Sequence, residues 1–336
     1  MKLEMTPRVA GVGSLIVFSV IVLAVVIVPT LEDRLEPSDT WRPRTEIENK
    51  GLEIYIANGC QYCHSMYIRP QDWDYGADRV AQAGDYVEDT PPLLGSERQG
   101  PDLSQEGGLR ADDWHLAHFA NPRYTRPDSI MPAFGWLGGE RTAQLTAYIQ
   151  SRGGTDADAR MERQHHWKAL LIDAYRRGPI ENMEFLHDNI PIEWVRLPNP
   201  YPATETALKR GERIYFQFCI GCHGPVGDGL GPAAPYMNPK PFNFTYFNRW
   251  KAKTGGPIGG ILYYQVMNGI TGSTMPPFKT ELESEKIWDV SNYIAVYFAG
   301  GPDKLDTKRG IPSSFEPKQP YEDEQRQEEQ EPEEPD

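Results

Sequence analysis

All four cysteines of the 336-residue chain fall in two copies of one pattern. The first is Cys60-Gln-Tyr-Cys63-His64 and the second is Cys219-Ile-Gly-Cys222-His223. Three chemistries use cysteines paired this way: a zinc knuckle, a redox dithiol and covalent haem attachment. A zinc site built from both pairs would need thiolates about 160 residues apart to converge, far outside zinc-ribbon spacings. A thioredoxin-like dithiol needs a βαβ setting, which neither pair has. The histidine that directly follows each pair fits the third chemistry. Two thioether bonds hold a porphyrin by one edge, and the adjacent imidazole then lies under the ring as an axial ligand to iron. The sequence thus predicts two covalently bound haem c groups. Cys60 and Cys63 would hold one, Cys219 and Cys222 the other, with His64 and His223 on the irons.

A closed electron-transfer site needs a second axial ligand, and a thioether sulfur raises the potential. "SIMPAF" and "TMPPF" each place a methionine before proline, at Met131 and Met275. A single methionine usually fills core space, but the repeated context singles these two out as ligands. The proline stiffens the loop that must carry sulfur to iron. Met66, Met237 and Met267 lack that context and read as packing residues. His115 and His118 lie in "DDWHLAHF", a helical pattern with both on one face. Either could replace Met131 and give a bis-histidine haem. His165, His166 and His187 read as structural or surface residues.

The elements around the motifs repeat as well. "GLEIYIANGC" and "GERIYFQFC" share Gly-x-x-Ile-Tyr, a short amphipathic helix leading into each haem loop. "LTAYIQSRGG" and "VSNYIAVYFAGG" each read as a final helix closed by glycines. Helix, C-x-x-C-H, loop, Met-Pro, helix therefore occurs twice, an internal duplication of architecture.

The predicted fold is mainly α. Residues 1–30 form a transmembrane anchor, 31–44 a polar stalk, 45–153 a first cytochrome c domain and 154–200 a partly helical linker. A second cytochrome c domain spans 201–302, and 303–336 form an acidic disordered tail. Residues 9–28 carry no charge and are long enough to cross a bilayer in contact with lipid. The following Pro29-Thr30-Leu31-Glu32 does not resemble a cleavage site. Lys2 and Arg8 precede the span, while Glu32, Asp33 and Glu36 follow it. That asymmetry places the N-terminus in the cytoplasm of a bacterial inner membrane and the haem domains on the periplasmic side. Formal net charge is −14, of which residues 319–336 supply −8 with nine acids and one arginine. Such a run solvates rather than packs, and its sign argues against nucleic-acid binding.

Residues 10–150 resemble the membrane-anchored mono-haem (FixO-type) subunit of cbb3-type haem-copper oxidases. The resemblance rests on the N-terminal span, "IYIANGCQYCHSMYIRP", "GSERQGPDLSQEGGLRADDWHLAHFANPR" and "SIMPAF". It implies that Cys60 and Cys63 hold the porphyrin, that His64 and Met131 ligate iron, and that Pro101 lies by the histidine. It also implies a haem-copper catalytic membrane subunit as partner and electron acceptor. Two departures stand out: Met66 occupies a position where the family usually has glutamine, and the chain continues past one haem domain. The second half, with "CIGCHGPVGDGLGPAA" and "TMPPFKTELESEKIWDVSNYIAVYF", is similar to a class I cytochrome c.

These readings predict an electron-transfer subunit rather than an enzyme by itself. Electrons would arrive from a donor cytochrome c or a quinol-oxidising complex at the Cys219 haem and leave through the Cys60 haem. The acceptor would be the catalytic subunit of an oxidase; the alternative is that the chain is the cytochrome c subunit of a nitric oxide reductase or of a quinol-oxidising complex. A di-haem peroxidase or dehydrogenase is the rival from another class. It needs an open iron position, whereas both halves offer a methionine.

Overall fold

The computed structural model describes residues 6–28, 36–70, 72, 79–89, 92–95, 97–247 and 259–298. The expected acidic tail, 303–336, lies outside the described residues, as do residues 31–35 of the stalk. Among the described residues every regular element is helical.

Helix α1 (Pro7–Val22) starts on a threonine cap, with Val9 N donating to Thr6 Oγ1 at 3.3 Å. A π-helical turn (Leu23–Ile27) extends it. The 21 residues from Pro7 to Ile27 are long and apolar enough to cross a membrane, and none is buried against the rest of the protein.

The first unit is built on α2 (Glu46–Ala57) and α4 (Gly138–Gln150). Thr45 and Glu48 form a capping box at the start of α2. Arg42 donates to both Glu48 carboxylate oxygens at 2.7 and 2.9 Å, which fixes the approach of the preceding chain. Between them lies α3 (Asp112–Ala120). The second unit repeats the plan with α8 (Glu205–Ile214), again capped by a threonine, and α11 (Ser284–Tyr297). Helices α9 (Ile220–His223) and α10 (Gly259–Asn268) lie between them.

The shared Gly-x-x-Ile-Tyr acquires its meaning in packing. A Cβ on Gly51 would sit 2.1 Å from Gln144 O and 2.6 Å from Tyr148 Cβ. One on Gly211 would sit 2.1 Å from Asp289 O and 2.9 Å from Tyr293 Cβ. Each glycine is the point where the first helix crosses the last. The shared tyrosines meet one turn on: Tyr55 with Tyr148 at 5.3 Å between ring centres, and Tyr215 with Tyr293 at 5.5 Å. All four are essentially fully buried.

The segment expected as a linker is more ordered than its sequence suggests. Helix α5 (Gly154–Arg177) ends at Gly178. Helices α6 (Pro179–Asp188) and α7 (Ile192–Val195) follow. Met183, Ile190 and Val195 enter the second core beside Ile261 and Trp288. Arg160 of α5 reaches back to the first unit, donating from Nε to Gly107 O at 2.7 Å. The segment therefore packs on both units.

Candidate haem sites

The first motif follows a helix end. Asn58 closes α2, Gly59 turns with φ +67°, and Cys60–Tyr62 form a short 3-10 turn. The second motif has one residue fewer before its first cysteine. There α8 runs on through a π-helical turn (Tyr215–Cys219) straight into α9. A glycine turn in one copy and a π turn in the other lead from the first helix into the motif. Such π turns recur at functional sites.

All eight residues singled out by the sequence line one cavity of about 540 Å³. Cys60 and Met131 pack against the first core, and Cys219 and Met275 against the second. The motifs therefore do not stand in separate pockets; they open onto a common space.

Each histidine is oriented by a backbone carbonyl. His64 Nδ1 donates to Pro101 O at 2.8 Å, as the resemblance implied for Pro101. His223 Nδ1 donates to Phe242 O at 3.1 Å, a partner that sequence reasoning did not name. In "GPD" at 100–102 the acceptor is the proline itself, whereas in "KPF" at 240–242 it is the residue after the proline, so the first site gives no guide to the second. Carbonyls at Nδ1 fix the tautomer and leave Nε2 as the lone-pair nitrogen a metal needs. Burial lowers the pKa of both rings, His223 to about 4, so each stays neutral. Gly100 makes room for this arrangement, since a Cβ there would lie 2.2 Å from His64 Cε1.

Both methionines sit on the same turn. Met131 N donates to Ser129 Oγ at 3.2 Å, and Met275 N donates to Ser273 Oγ at 3.1 Å. The repeated unit is thus Ser-x-Met-Pro, one residue type more than the sequence reading used. Met66 is a core residue, 2 % exposed, and Met237 is equally buried. His115 and His118 also line the cavity. His118 Nδ1 bonds Thr125 Oγ1 at 2.7 Å, and its ring stacks on Trp114. His165 and His166 are exposed on α5.

The four cysteines are free, and burial raises the Cys60 thiol to about 11 and the Cys219 and Cys222 thiols to about 12. A redox dithiol needs the opposite shift. Among the described residues no group of three or more His, Cys, Asp or Glu side chains could hold a metal ion, so the two pairs do not form a shared thiolate site.

The cavity suits haem in its donors and its lining. Tyr55 Oη, His115 Nε2, Asn182 Oδ1 and Gln265 Nε2 are buried on it without a hydrogen-bond partner. Unpaired buried polar groups are costly. They fit a guest with a broad apolar face and a few polar groups, as haem has with its carboxylates.

Residues 1–165 match the family described as cytochrome c oxidase, mono-heme subunit/FixO. Residues 206–294 match cytochrome c oxidase, cbb3-type, subunit III. No curated protein matches the chain. One solved chain, from the Kuenenia stuttgartiensis reducing HAO-like protein complex Kustc0457/Kustc0458, is 20% identical. The match covers 75% of this chain and 96% of that one, and the TM-score of 0.26 is too low to support any argument. The two family matches name cytochrome c oxidase subunits, a mono-haem one for the first half and a cbb3-type one for the second. The chain is thus a FixO-like, haem-binding electron-transfer subunit fused to a second cytochrome c domain of the cbb3 oxidase type.

Proposed function

We propose that the chain carries two haem c groups and relays electrons through them to the catalytic subunit of a haem-copper oxidase. The observation that carries this reading is the duplication of a complete donor set around one cavity. Cys60, Cys63, His64 and Met131 form one set; Cys219, Cys222, His223 and Met275 form the other. Bound haem supplies the one-electron chemistry. The protein anchors it through thioethers, presents a neutral imidazole held by a carbonyl, and offers a methionine on a Ser-x-Met-Pro turn. Methionine on both sides leaves no open position for a peroxidase-type reaction.

Both family matches are to cbb3-type cytochromes, which favours an oxidase acceptor over a nitric oxide reductase or a quinol-oxidising complex. We place the domains at 45–153 and 201–302, the N-terminus in the cytoplasm and the haems on the periplasmic side. The charge asymmetry around residues 9–28 supports this orientation. Electrons enter at the Cys219 site and leave at the Cys60 site, which follows the anchor more closely in sequence. The test is intact mass of the purified holoprotein. Two added haem masses are expected, falling to one in Cys60→Ala/Cys63→Ala and in Cys219→Ala/Cys222→Ala. A parent carrying a single haem refutes the reading.

A further inference from the structure

The two halves meet at the second haem motif. A Cβ on Gly221, between Cys219 and Cys222, would lie 1.9 Å from Tyr124 O. Tyr124 belongs to the segment that leads from α3 to Met131. Beside this contact Ala117 and Ala233 are fully buried and Met237 is 3 % exposed, with Tyr124 and Cys222 packed against them. The second motif is therefore pressed against the methionine-bearing segment of the first site, with no side chain between the two backbones.

Polar bridges hold this face in register. Asp113 Oδ2 accepts from Asn238 N of the second unit at 2.8 Å and pairs with Lys168 Nζ of α5 at 2.9 Å. Gln164 of α5 donates from Nε2 to Gly108 O at 3.3 Å and accepts at Oε1 from Gly272 N at 2.6 Å. One glutamine thus ties the first unit to the loop just before Met275. Arg126 pairs with Glu281 and lies 5.3 Å over the Phe218 ring, next to Cys219. A flexible tether would need none of these contacts.

We infer that the Gly221–Tyr124 contact is a fixed electron-transfer junction, in which the absent side chain of Gly221 sets the spacing between the two haems. This rests on the two-haem relay reading. Electron transfer slows steeply as the gap widens, so a junction closed to backbone contact is fast and one opened by a methyl group is slower. Gly221 acts as a positioning residue, since it touches no proposed ligand atom other than through its own chain neighbours.

The test compares the full-length holoprotein with Gly221→Ala, and with Ala117→Leu, which widens the same face from the other side without altering a haem motif. Gly139→Ala, whose Cβ would meet no atom within 4 Å, is the control. Redistribution of an electron between the haems is followed after flash photoreduction, and magnetic coupling between the ferric haems by electron paramagnetic resonance. Mass and visible spectra report haem content and methionine ligation. Expected are two intact haems with severalfold slower redistribution and weaker coupling in both junction variants, and no change in the control. Two intact haems with unchanged rate and coupling in both variants overturn the junction alone. If Gly221→Ala fails to load its haem, Ala117→Leu decides by the same criteria. A single haem in the parent overturns both the junction and the relay.

Discussion

Replacing Gly51 with alanine probes the helix crossing on which the first site is built. The new Cβ would meet Gln144 O at 2.1 Å and Tyr148 Cβ at 2.6 Å, where ordinary contact begins near 3.4 Å. Both obstacles are backbone or backbone-attached, so no rotamer change relieves them. Helix α2 must withdraw from α4 by about 1 Å in an interior packed to crystal-like density. Overpacking of this kind costs up to about 3 kcal/mol. Removing a glycine from a helix interior returns about 1 kcal/mol. The net loss is about 2 kcal/mol, or about 4–8 °C in Tm for a cooperative unit of 150–250 residues. Gly139→Ala on the facing helix has the opposite sign. With open space around it, it should gain about 0.4–1 kcal/mol through the unfolded state. Thermal unfolding of the full-length holoprotein reads both. A Gly51→Ala variant that melts at or above the parent would refute the argument that this glycine is set by contact.

Met131→His and Met275→His should each lower one haem potential by a sizeable part of the roughly 0.8 V range that axial ligands command. Redox titration and loss of one thioether-to-iron absorption band check this, and an unchanged potential in either variant removes that methionine from iron. Burial lowers His115 from 6.5 to about 4. Above about pH 6.5 the ring is neutral folded or unfolded and contributes no pH dependence. Below it the unfolded state takes up the proton first, so stability falls by up to about 1.4 kcal/mol per pH unit until the folded ring titrates near 4. Denaturant titrations across that window should show a shallower slope in His115→Gln; an equal slope assigns the loss elsewhere. Deleting residues 319–336 removes −8 of the −14 charge. It should slow reduction by a basic donor cytochrome at low salt and flatten the ionic-strength dependence, and equal rates with and without the tail show that it steers nothing.

The site was legible because its chemistry is local. A pentapeptide fixes two thiols and an imidazole, and Met-Pro fixes a sulfur, with no knowledge of the rest of the chain. Pro101 was reachable by resemblance, while Phe242 was not, because its carbonyl carries no side-chain signature. Gly51 and Gly211 were visible as a repeat but not as helix crossings, since a missing Cβ matters only once the facing helix is in place. The single common cavity could not be read at all. It depends on Asp113, Gln164 and Arg126, isolated polar residues with no periodicity, whose partners lie 125, 108 and 155 residues away.

The two copies also differ where they meet. In the second, α10 ends at Asn268 and Met275 follows seven residues later; in the first, α3 ends at Ala120 and Met131 follows eleven later. Presenting a methionine therefore needs no more than the shorter segment. The additional residues of the first copy build the turn Pro122–Tyr124, closed by Asn121, whose side chain accepts from Arg123 N at 3.1 Å. That turn delivers Tyr124 O to Gly221 and places Arg126 beside Glu281. A segment longer than ligation requires, folded into a rigid turn whose outer face is covered by the other motif, accounts for "ANPRYTR" as the seat of the second unit. The same stretch supports the resemblance of the first half. The feature that marks the family at this position is also what holds the added domain against it.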